Sequence, residues 1–244
     1  MVELHATQGA ATLRRLDLAF GRLAERIAPA HGSSHIVQLC EDDAQYARTV
    51  ARFFAAGLAA GHAALAVTSP SHRDDILAAL ASLGCQPERA RRDGRLVFLD
   101  AGDAIAAICA DGAPDRERFQ RVVGAALRDA STSSTQAAPF VHGEMVNLLC
   151  ENGDFDGAQE LESLWNELGA TRRFHLLCTY SASTFAAVDR TTAYDRMCAQ
   201  HTHVLPSSSL CDADDVTRLW ELARLEQRVL ALQTELAAHR RVAD

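Results

Sequence analysis

The sequence predicts an α/β fold, with a mainly parallel sheet of five or more strands, helices on both faces of the sheet, and one further helix at each end of the chain. Three observations predict this fold. Short, continuously apolar runs alternate with longer segments whose apolar residues recur at helical spacing. The apolar runs lack the polar alternation of a half-exposed sheet, which is typical of strands buried on both faces. With 244 residues and a hydrophobic fraction of 48%, the chain can bury one large core of this kind.

Five apolar runs are predicted to be the core strands, and they occupy residues 35–40, 63–67, 95–99, 140–142 and 174–178. Apolar residues between them recur in steps of three and four, which predicts crossover helices. The first helix carries Tyr46 and Phe54 on its buried face and ends at Gly61. We expect Ser71 to cap the second helix and Pro114 to begin a later one. Two more helices follow His142, and another carries Met197, before a last apolar run around 201–206.

The two ends of the chain are predicted to be helices outside the sheet, which divides the chain into 1–32, 33–206 and 207–244. Each end has apolar residues at alternating steps of three and four, namely Leu13, Leu16, Phe20, Leu23 and Ile27 in the first and Leu222, Leu225, Val229, Leu232 and Leu236 in the second. Each of these seams is about two heptads long, whereas a coiled coil is usually assigned from three or four. The end helices could pair within one chain or across a homodimer.

Composition argues against several classes of function. The net charge of −8 argues against a broad nucleic-acid surface. All 24 basic residues are arginine, which excludes Schiff-base chemistry on lysine, pyridoxal phosphate anchoring and a phosphate-loop lysine. The first strand is followed by Glu41, Asp42 and Asp43 without a glycine, and these acids would repel the phosphates of a nucleotide. We therefore expect no nucleotide hydrolysis and no cofactor.

Cysteine usage and hydropathy indicate where the protein works. Seven cysteines are scattered without a C-x-x-C pair, which is typical of buried, reduced thiols in a cytosolic protein. The N-terminus lacks the basic-then-apolar pattern of a signal peptide, and the apolar stretch at 53–67 is interrupted by Gly57, Gly61 and His62. That stretch is also shorter than the ~18 residues of a membrane helix. We expect a cytoplasmic protein without a membrane contact.

Polar residues follow every predicted strand, at the edge where ligands bind in open α/β sheets. They are Glu41, Asp42, Thr68, Ser69, Asp100, His142, Glu144, Tyr180 and Ser181. We expect them to enclose one small-molecule pocket, and the ligand-binding candidates are Glu41, Asp42, Ser69, Asp100, His142, Glu144 and Tyr180. The alternative is that these residues are polar only because loops are polar.

Two catalytic or metal alternatives remain open. Asp100 and Glu144 resemble the metal-binding and activating carboxylates of a metal-assisted hydrolase. His201 and His203 would share one face of a strand and could together bind a metal, but we expect them to make structural hydrogen bonds instead. The absence of a G-x-S-x-G sequence argues against a Ser-His-Asp hydrolase.

Several ordered patterns of the chain resemble one known family. They are His35-Ile-Val-Gln-Leu-Cys40, Phe53-Phe54-x-x-Gly57-Leu58-x-x-Gly61, His142-Gly143-Glu144-Met145, Leu161-Glu162-x-x-Trp165-Asn166-x-Leu168, Leu177-Cys178-x-Tyr180 and His201-x-His203-Val204-x-Pro206. Together they resemble the MEDS sensory domain over roughly residues 33–206. The resemblance implies a RecA- or KaiC-like core that has lost its phosphate loop, and a role in sensing small hydrocarbon derivatives in bacterial and archaeal signalling.

The resemblance favours a non-catalytic, cytoplasmic sensory module that binds a small organic ligand. Members are often fused to kinase, regulator or DNA-binding modules. Because this sequence shows no such module, we expect its end helices to signal through contacts with a kinase or transcriptional regulator. The alternatives are a degenerate nucleotide-binding or metal-assisted hydrolase, and an interaction scaffold without a ligand.

Overall fold

The computed structural model describes residues 33–132, 138–186 and 190–205, together with the single residues 225, 227 and 232. The chain divides into two compact units, 1–207 and 208–244. In the second unit, the described residues Leu225, Gln227 and Leu232 are helical and exposed. The predicted helix at 12–27 lies outside the described residues, as does most of the predicted helix at 215–240, so both stay predictions.

Six strands of the described residues form one parallel sheet in the order β3-β2-β6-β7-β1-β8. The strands of this sheet are β1 (Ser34–Cys40), β2 (Ala64–Thr68), β3 (Leu96–Asp100), β6 (Phe140–Gly143), β7 (His175–Ser181) and β8 (His203–Leu205). A separate antiparallel ribbon consists of β4 (Cys109–Ala110) and β5 (Ala113–Pro114). The predicted mainly parallel α/β sheet is therefore confirmed.

Eight α-helices of the described residues accompany the strands. They are α1 (Asp43–Ala59), α2 (Pro70–Ser82), α3 (Pro87–Arg92), α4 (Ala101–Ile108), α5 (Arg116–Thr132), α6 (Met145–Glu151), α7 (Phe155–Thr171) and α8 (Thr191–Ala199). A 3₁₀ turn, Ala182–Phe185, follows β7. No helix in the described part of the chain is long and apolar enough to span a membrane.

Helices cover both faces of the sheet because successive strand residues point to opposite sides. Helices α1 to α3 pack on one face, against Ile36, Ala64, Ala66, Phe140 and Leu177. Helices α4 to α8 contribute to the core on the other face, against Val37, Leu65, Val67, Val141, Leu176, Cys178 and Tyr180. The neighbouring residues His142 and Val141 therefore face opposite layers, and so do His35 and Ile36.

The structure corrects three details of the predicted elements. Helix α2 begins at Pro70, so Ser69 rather than Ser71 occupies its N-cap position, and Ser69 makes no side-chain cap hydrogen bond. Pro114 belongs to β5, and α5 begins two residues later, where the Asp115 carboxylate accepts a hydrogen bond from the Arg118 backbone N–H. The strand expected around 201–206 is limited to β8, which begins at His203.

Candidate functional site

The Glu144 side chain lies at the carboxyl edge of the sheet because β2 and β6 are adjacent and end together. Val67 pairs with Gly143, and the Glu144 backbone N–H donates to the Val67 carbonyl at 2.9 Å. A Cβ atom at Gly143 would lie 3.4 Å from the Trp165 ring, so the ring packs closely on the backbone there. The chain therefore turns at Gly143 and directs Glu144 towards the end of β2.

The Glu144 carboxylate, which is 1% exposed, accepts hydrogen bonds at both oxygens. Oε2 accepts from the Thr68 hydroxyl at 2.6 Å, the Ser69 backbone N–H at 2.7 Å and the Tyr46 hydroxyl at 3.0 Å. Oε1 lies 2.7 Å from His72 Nδ1. We name Tyr46, Thr68, Ser69, His72, His142 and Glu144 the Glu144 site.

His142 completes this network beneath Glu144. Its Nδ1 lies 3.0 Å from the Leu177 carbonyl, which can only accept, so Nδ1 carries the proton. Its Nε2 lies 2.6 Å from the Tyr46 hydroxyl. Burial lowers the pKa of His142 to about 4, against the attraction of Glu144, so the ring is neutral at pH 7. Tyr46 therefore has one proton and three acceptors within reach, namely His142 Nε2, Glu144 Oε2 and, at 3.0 Å, Thr68 Oγ1.

Hydrogen bonding keeps Glu144 ionised in spite of its burial. Burial alone would raise its pKa, but the hydrogen bonds from His72, Thr68 and the Ser69 backbone outweigh it and hold the pKa at about 2. The hydrogen bond to Glu144 raises the pKa of His72, with burial opposing. The Glu144 site therefore contains a buried anion, and His72 is the neighbouring group whose protonation that anion favours.

His72 covers the carboxylate on its solvent side. Its ring stacks on Tyr46 with centroids 4.0 Å apart, and its Nε2 lies 3.5 Å from Oδ1 of the exposed Asp43. The His72 side chain is 18% exposed, whereas the Glu144 side chain is 1% exposed. A partner that replaced His72 would reach the carboxylate from solvent without any change in the buried donors.

The structure brings together three of the seven predicted ligand residues, Ser69, His142 and Glu144. Asp100 lies at the same edge, in register with Thr68, but its carboxylate accepts from the Asp103 backbone N–H and caps α4. Asp42 caps α1 in the same way, through the Gln45 backbone N–H. Glu41 is exposed, and its backbone N–H donates to the Gln45 side chain.

Tyr180 does not belong to the predicted shared pocket, because it faces the opposite layer of the sheet. Its hydroxyl donates to Oε1 of Glu162, a fully buried carboxylate on α7. His35 Nε2 lies 3.0 Å from Glu162 Oε2, and His201 Nε2 lies 3.4 Å from Glu162 Oε1. Cys178 Sγ lies 3.3 Å from His35 Nε2. We name His35, Glu162, Cys178, Tyr180 and His201 the Glu162 site.

The Glu162 site can hold a metal, whereas the predicted pair of His201 and His203 does not face one site. His203 is exposed at the start of β8, and its Nδ1 lies 2.9 Å from the Thr202 hydroxyl. His201 precedes the strand, so the alternation that would align it with His203 does not apply. Its ring instead joins His35, Glu162 and Cys178, whose ligand atoms all lie within 4.8 Å of one another.

The residues missed from the sequence lie on helices and in the strand interior. Tyr46 and His72 approach Glu144 from α1 and α2, and no strand-end pattern selects them. The burial of Glu162 could be predicted from the sequence, because this acid lies on the apolar stripe formed by Leu161, Trp165 and Leu168 of α7. A carboxylate on such a stripe needs buried partners.

Comparison with known proteins gives a family and solved structures of similar fold. Residues 34–201 match the MEDS family, the MEthanogen/methylotroph, DcmR Sensory domain. No curated protein matches the chain. Among solved structures, the chain is similar to the flagellar accessory protein FlaH from Methanocaldococcus jannaschii, at 12% identity and a TM-score of 0.48, covering 76% of each chain. It is also similar to a KaiC-like protein from Pyrococcus horikoshii OT3, at 14% identity and a TM-score of 0.45, covering 70% of this chain and 72% of that one.

Proposed function

Because the chain belongs to the MEDS family of sensory domains, we propose that it is a non-catalytic sensory module that binds a small organic cation at the Glu144 site. The observation that carries the proposal is the contact between Glu144 and His72, in which a buried carboxylate meets an exchangeable partner at the protein surface. The output of the module is a contact with a signalling protein, such as a kinase or a transcriptional regulator.

The surroundings of His72 indicate the class of ligand. The His72 ring is held by a carboxylate oxygen at 2.7 Å and by stacking on the Tyr46 ring. A protonated methylamine offers the same two features, a charged N–H donor and a cation that binds an aromatic face. A neutral alcohol offers only the hydrogen bond, and a halocarbon offers no donor. We therefore expect affinity to fall from methylammonium ions to alcohols and then to halocarbons.

Exchange of His72 for a ligand also supplies a signal. His72 lies on α2 and contacts Asp43 on α1, so it links the two helices across the mouth of the site. A ligand changes a conformational equilibrium only when it binds one state better than the other. A cation can bind Glu144 only in the conformation in which His72 has moved away. The ligand therefore binds that conformation better than the one in which His72 contacts Glu144.

The hydrolase alternative is less well supported by the same residues. Asp100 acts as the cap of α4, and Glu144 is surrounded by hydrogen-bond donors on both oxygens. A metal-assisted hydrolase needs carboxylate oxygens that are free to bind a cation or to activate water. The hydrogen bonding of Asp100 and Glu144 therefore favours the sensor.

Calorimetric titration of the full chain tests this proposal. The panel contains mono-, di- and trimethylammonium, methanol, ethanol, dichloromethane and ATP. We expect wild type to bind a methylammonium ion and Glu144→Gln to lose that binding. Asp75→Asn, which changes an exposed acid on α2, the helix of His72, should retain it. His72→Ala is expected to bind the same ion more tightly, because the internal competitor is gone.

Two results would overturn the proposal. One is the absence of binding of every compound in the panel by wild type and by His72→Ala, when circular dichroism shows that both are folded. The other is binding that Glu144→Gln leaves unchanged, which would place the ligand elsewhere. Binding of ATP alone, with magnesium dependence, would favour the nucleotide-binding alternative.

A further inference from the structure

Four metal-ligating side chains from different parts of the fold converge in the core, on the face of the sheet opposite to the Glu144 site. His35 comes from β1, Glu162 from α7, Cys178 from β7 and His201 from the turn between α8 and β8. The Glu162 and His201 side chains are 0% exposed and that of His35 is 7% exposed. A carboxylate, a thiol and two imidazoles need a partner to be buried together in this way.

The two imidazoles are oriented as metal-binding histidines are. The His201 Nδ1 lies 2.7 Å from the Met197 carbonyl, and the His35 Nδ1 lies 2.9 Å from Asn166 Oδ1. The Asn166 Nδ2 donates to the Gln200 carbonyl at 3.0 Å, which fixes the amide so that Oδ1 faces His35. Each Nδ1 is thus a donor, and each ring directs its Nε2 towards Glu162. Such outer hydrogen bonds orient the histidines of metal sites.

Two inner atoms of the cluster have no hydrogen-bond partner within the described part of the chain, whereas His35 Nε2 lies 3.3 Å from Cys178 Sγ. Glu162 Oε2 and His201 Nε2 are buried without a hydrogen-bond partner in the described residues. The 3.0 Å approach of His35 Nε2 to Glu162 Oε2 does not have the geometry of a hydrogen bond. A carboxylate oxygen and imidazole lone pairs that face one another repel unless a cation lies between them. That cation is either a set of protons on the imidazoles or one metal ion.

We propose that His35, Glu162, Cys178 and His201 bind one divalent transition-metal ion, with Zn²⁺ as the expected occupant. Two nitrogens, one carboxylate oxygen and one sulfur are a ligand set that Zn²⁺ accepts in tetrahedral sites. With metal–nitrogen bonds of about 2.0–2.1 Å, tetrahedral ligand atoms lie about 3.3 Å apart. Two contacts in the cluster already have that spacing, His35 Nε2 to Glu162 Oε2 at 3.0 Å and His35 Nε2 to Cys178 Sγ at 3.3 Å. The ligand atoms of all four residues lie within 4.8 Å of one another.

The remaining contacts of the cluster complete the coordination scheme. Tyr180 donates to Glu162 Oε1 and leaves Oε2 for the ion. Cys178 binds through sulfur, and its proton passes to solvent as the sulfur–metal bond forms. Four protein ligands close the coordination shell, so the site is structural rather than catalytic. The Thr202 hydroxyl and backbone N–H both donate to the His35 carbonyl, so the ion would reinforce the attachment of the segment beside β8 to β1.

Metal analysis of the full chain, together with its Co²⁺ form, tests the site. We expect one Zn²⁺ per chain after reconstitution, and X-ray absorption with one sulfur at about 2.3 Å and three nitrogen or oxygen ligands at about 2.0–2.1 Å. The Co²⁺ protein should show tetrahedral d–d bands and a thiolate-to-metal band in the near ultraviolet. Cys178→Ser should remove the thiolate band, and Cys150→Ser, which changes another buried free cysteine, should keep it.

Three further variants distinguish a metal ligand from residues that only lie near the metal. His201→Gln should lose stoichiometric Zn²⁺, whereas His203→Gln, which changes the exposed histidine two residues away, should keep it. Tyr180→Phe should weaken the affinity for Zn²⁺ by about 10–100-fold, the usual effect of losing an outer-shell hydrogen bond. A folded wild type that binds no Zn²⁺ or Co²⁺ would overturn the proposal and leave protonated imidazoles as the partners of Glu162. Zn²⁺ bound without sulfur in its X-ray absorption would overturn it as well, even if the variants failed to fold.

Discussion

Glu144 and Glu162, the two buried glutamates in the described part of the chain, have similar neighbours and opposite hydrogen bonding. Glu144 and Glu162 each contact one tyrosine hydroxyl and at least one histidine, and they lie on opposite faces of the same parallel sheet. Glu144 accepts from three donors at Oε2 and from His72 at Oε1. Glu162 accepts from Tyr180 at Oε1, while Oε2 has no hydrogen-bond donor in the described residues.

This difference shows how the same residue types serve two purposes. The charge of Glu144 is stabilised by fixed donors, and its one cationic contact faces solvent, so that contact can be exchanged. Glu162 lies among lone pairs in the core, so its charge needs a buried cation that does not exchange freely. We infer that the first arrangement suits a sensor for a transient ligand and the second suits a permanent metal ion.

The largest expected effect is the loss of the Glu162 charge. Glu162→Gln should lower the free energy of unfolding by about 3–5 kcal/mol, because it breaks a buried ionic cluster and leaves its partners uncompensated. Urea unfolding followed by circular dichroism measures the change. Glu160→Gln, an exposed substitution on the same helix, should stay within about 0.5 kcal/mol of wild type. A loss below about 1 kcal/mol for Glu162→Gln would show that the buried charge contributes little to stability.

The second expected effect is an acid-dependent loss of stability that belongs to Glu144. Its pKa falls from 4.5 to about 2 on folding, which corresponds to about 3 kcal/mol. Because the folded pKa is lowered, this stability is present above pH 4.5 and is lost as the pH falls through about 2. The difference in unfolding free energy between wild type and Glu144→Gln should therefore shrink from pH 5 towards pH 2.

A second acidic effect has to be separated from that of Glu144. Burial lowers the pKa of both His142 and His175 to about 4, so both rings disfavour the folded state as the pH falls from 6.5 to about 4. The loss from His175 occurs in wild type and in Glu144→Gln alike and cancels in their difference, whereas Glu144 raises the pKa of His142 and so limits the loss from that ring in wild type alone. A difference between the two proteins that stays constant from pH 5 to pH 2 would contradict the low pKa of Glu144.

The two tyrosines provide a matched pair for the third prediction. Tyr46→Phe and Tyr180→Phe each remove a hydroxyl that contacts a buried carboxylate, and each should cost about 1.5–3 kcal/mol without metal. Saturating Zn²⁺ should leave the cost of Tyr46→Phe unchanged. It should add about 1.4–2.7 kcal/mol to the cost of Tyr180→Phe, because a 10–100-fold weaker affinity for the ion reduces its stabilisation of the folded state.

This experiment needs two series of unfolding curves, one with a chelator and one with Zn²⁺ in excess. If Zn²⁺ changed the cost in unfolding free energy equally for both variants, the metal could not be assigned to the Glu162 site. A response of Tyr46→Phe alone would place the metal at Glu144 instead.

Much of the fold follows from sequence because its signals are local. Continuous apolar runs and helical spacing determine which segments are strands and helices, and the parallel sheet follows from their alternation. The sixth strand, β8, is harder to predict from sequence, because it is three residues long and its first two residues are exposed at the sheet edge. The ribbon of β4 and β5 depends on a two-residue turn, Asp111-Gly112, whose φ angles of 52° and 88° suit a tight hairpin.

The sites follow from sequence only in part, because side-chain direction depends on register. Position at a strand end identifies His142 and Glu144, but it does not tell which layer a strand residue faces. Strand-end position therefore groups Tyr180 with Glu144, although the alternation along β7 turns it towards Glu162. His201 and His35 are separated by 166 positions, and only the pairing of β1 with β8 brings them together.

The smallest expected effect concerns His72, and it tests whether the exchangeable partner of Glu144 is a cation. The pKa of His72 is raised on folding, so its contribution is fully present below 6.5 and is lost as the pH rises through the folded value. Wild type should exceed His72→Gln in unfolding free energy by up to about 1 kcal/mol at pH 5.5 and by less at pH 8.5. His203→Gln, an exposed control, should show no such trend.

Methylammonium, still protonated at pH 8.5, should bind wild type more tightly there than at pH 5.5, because a neutral His72 competes less well for Glu144. Equal affinity at both pH values would mean that the ligand does not replace His72.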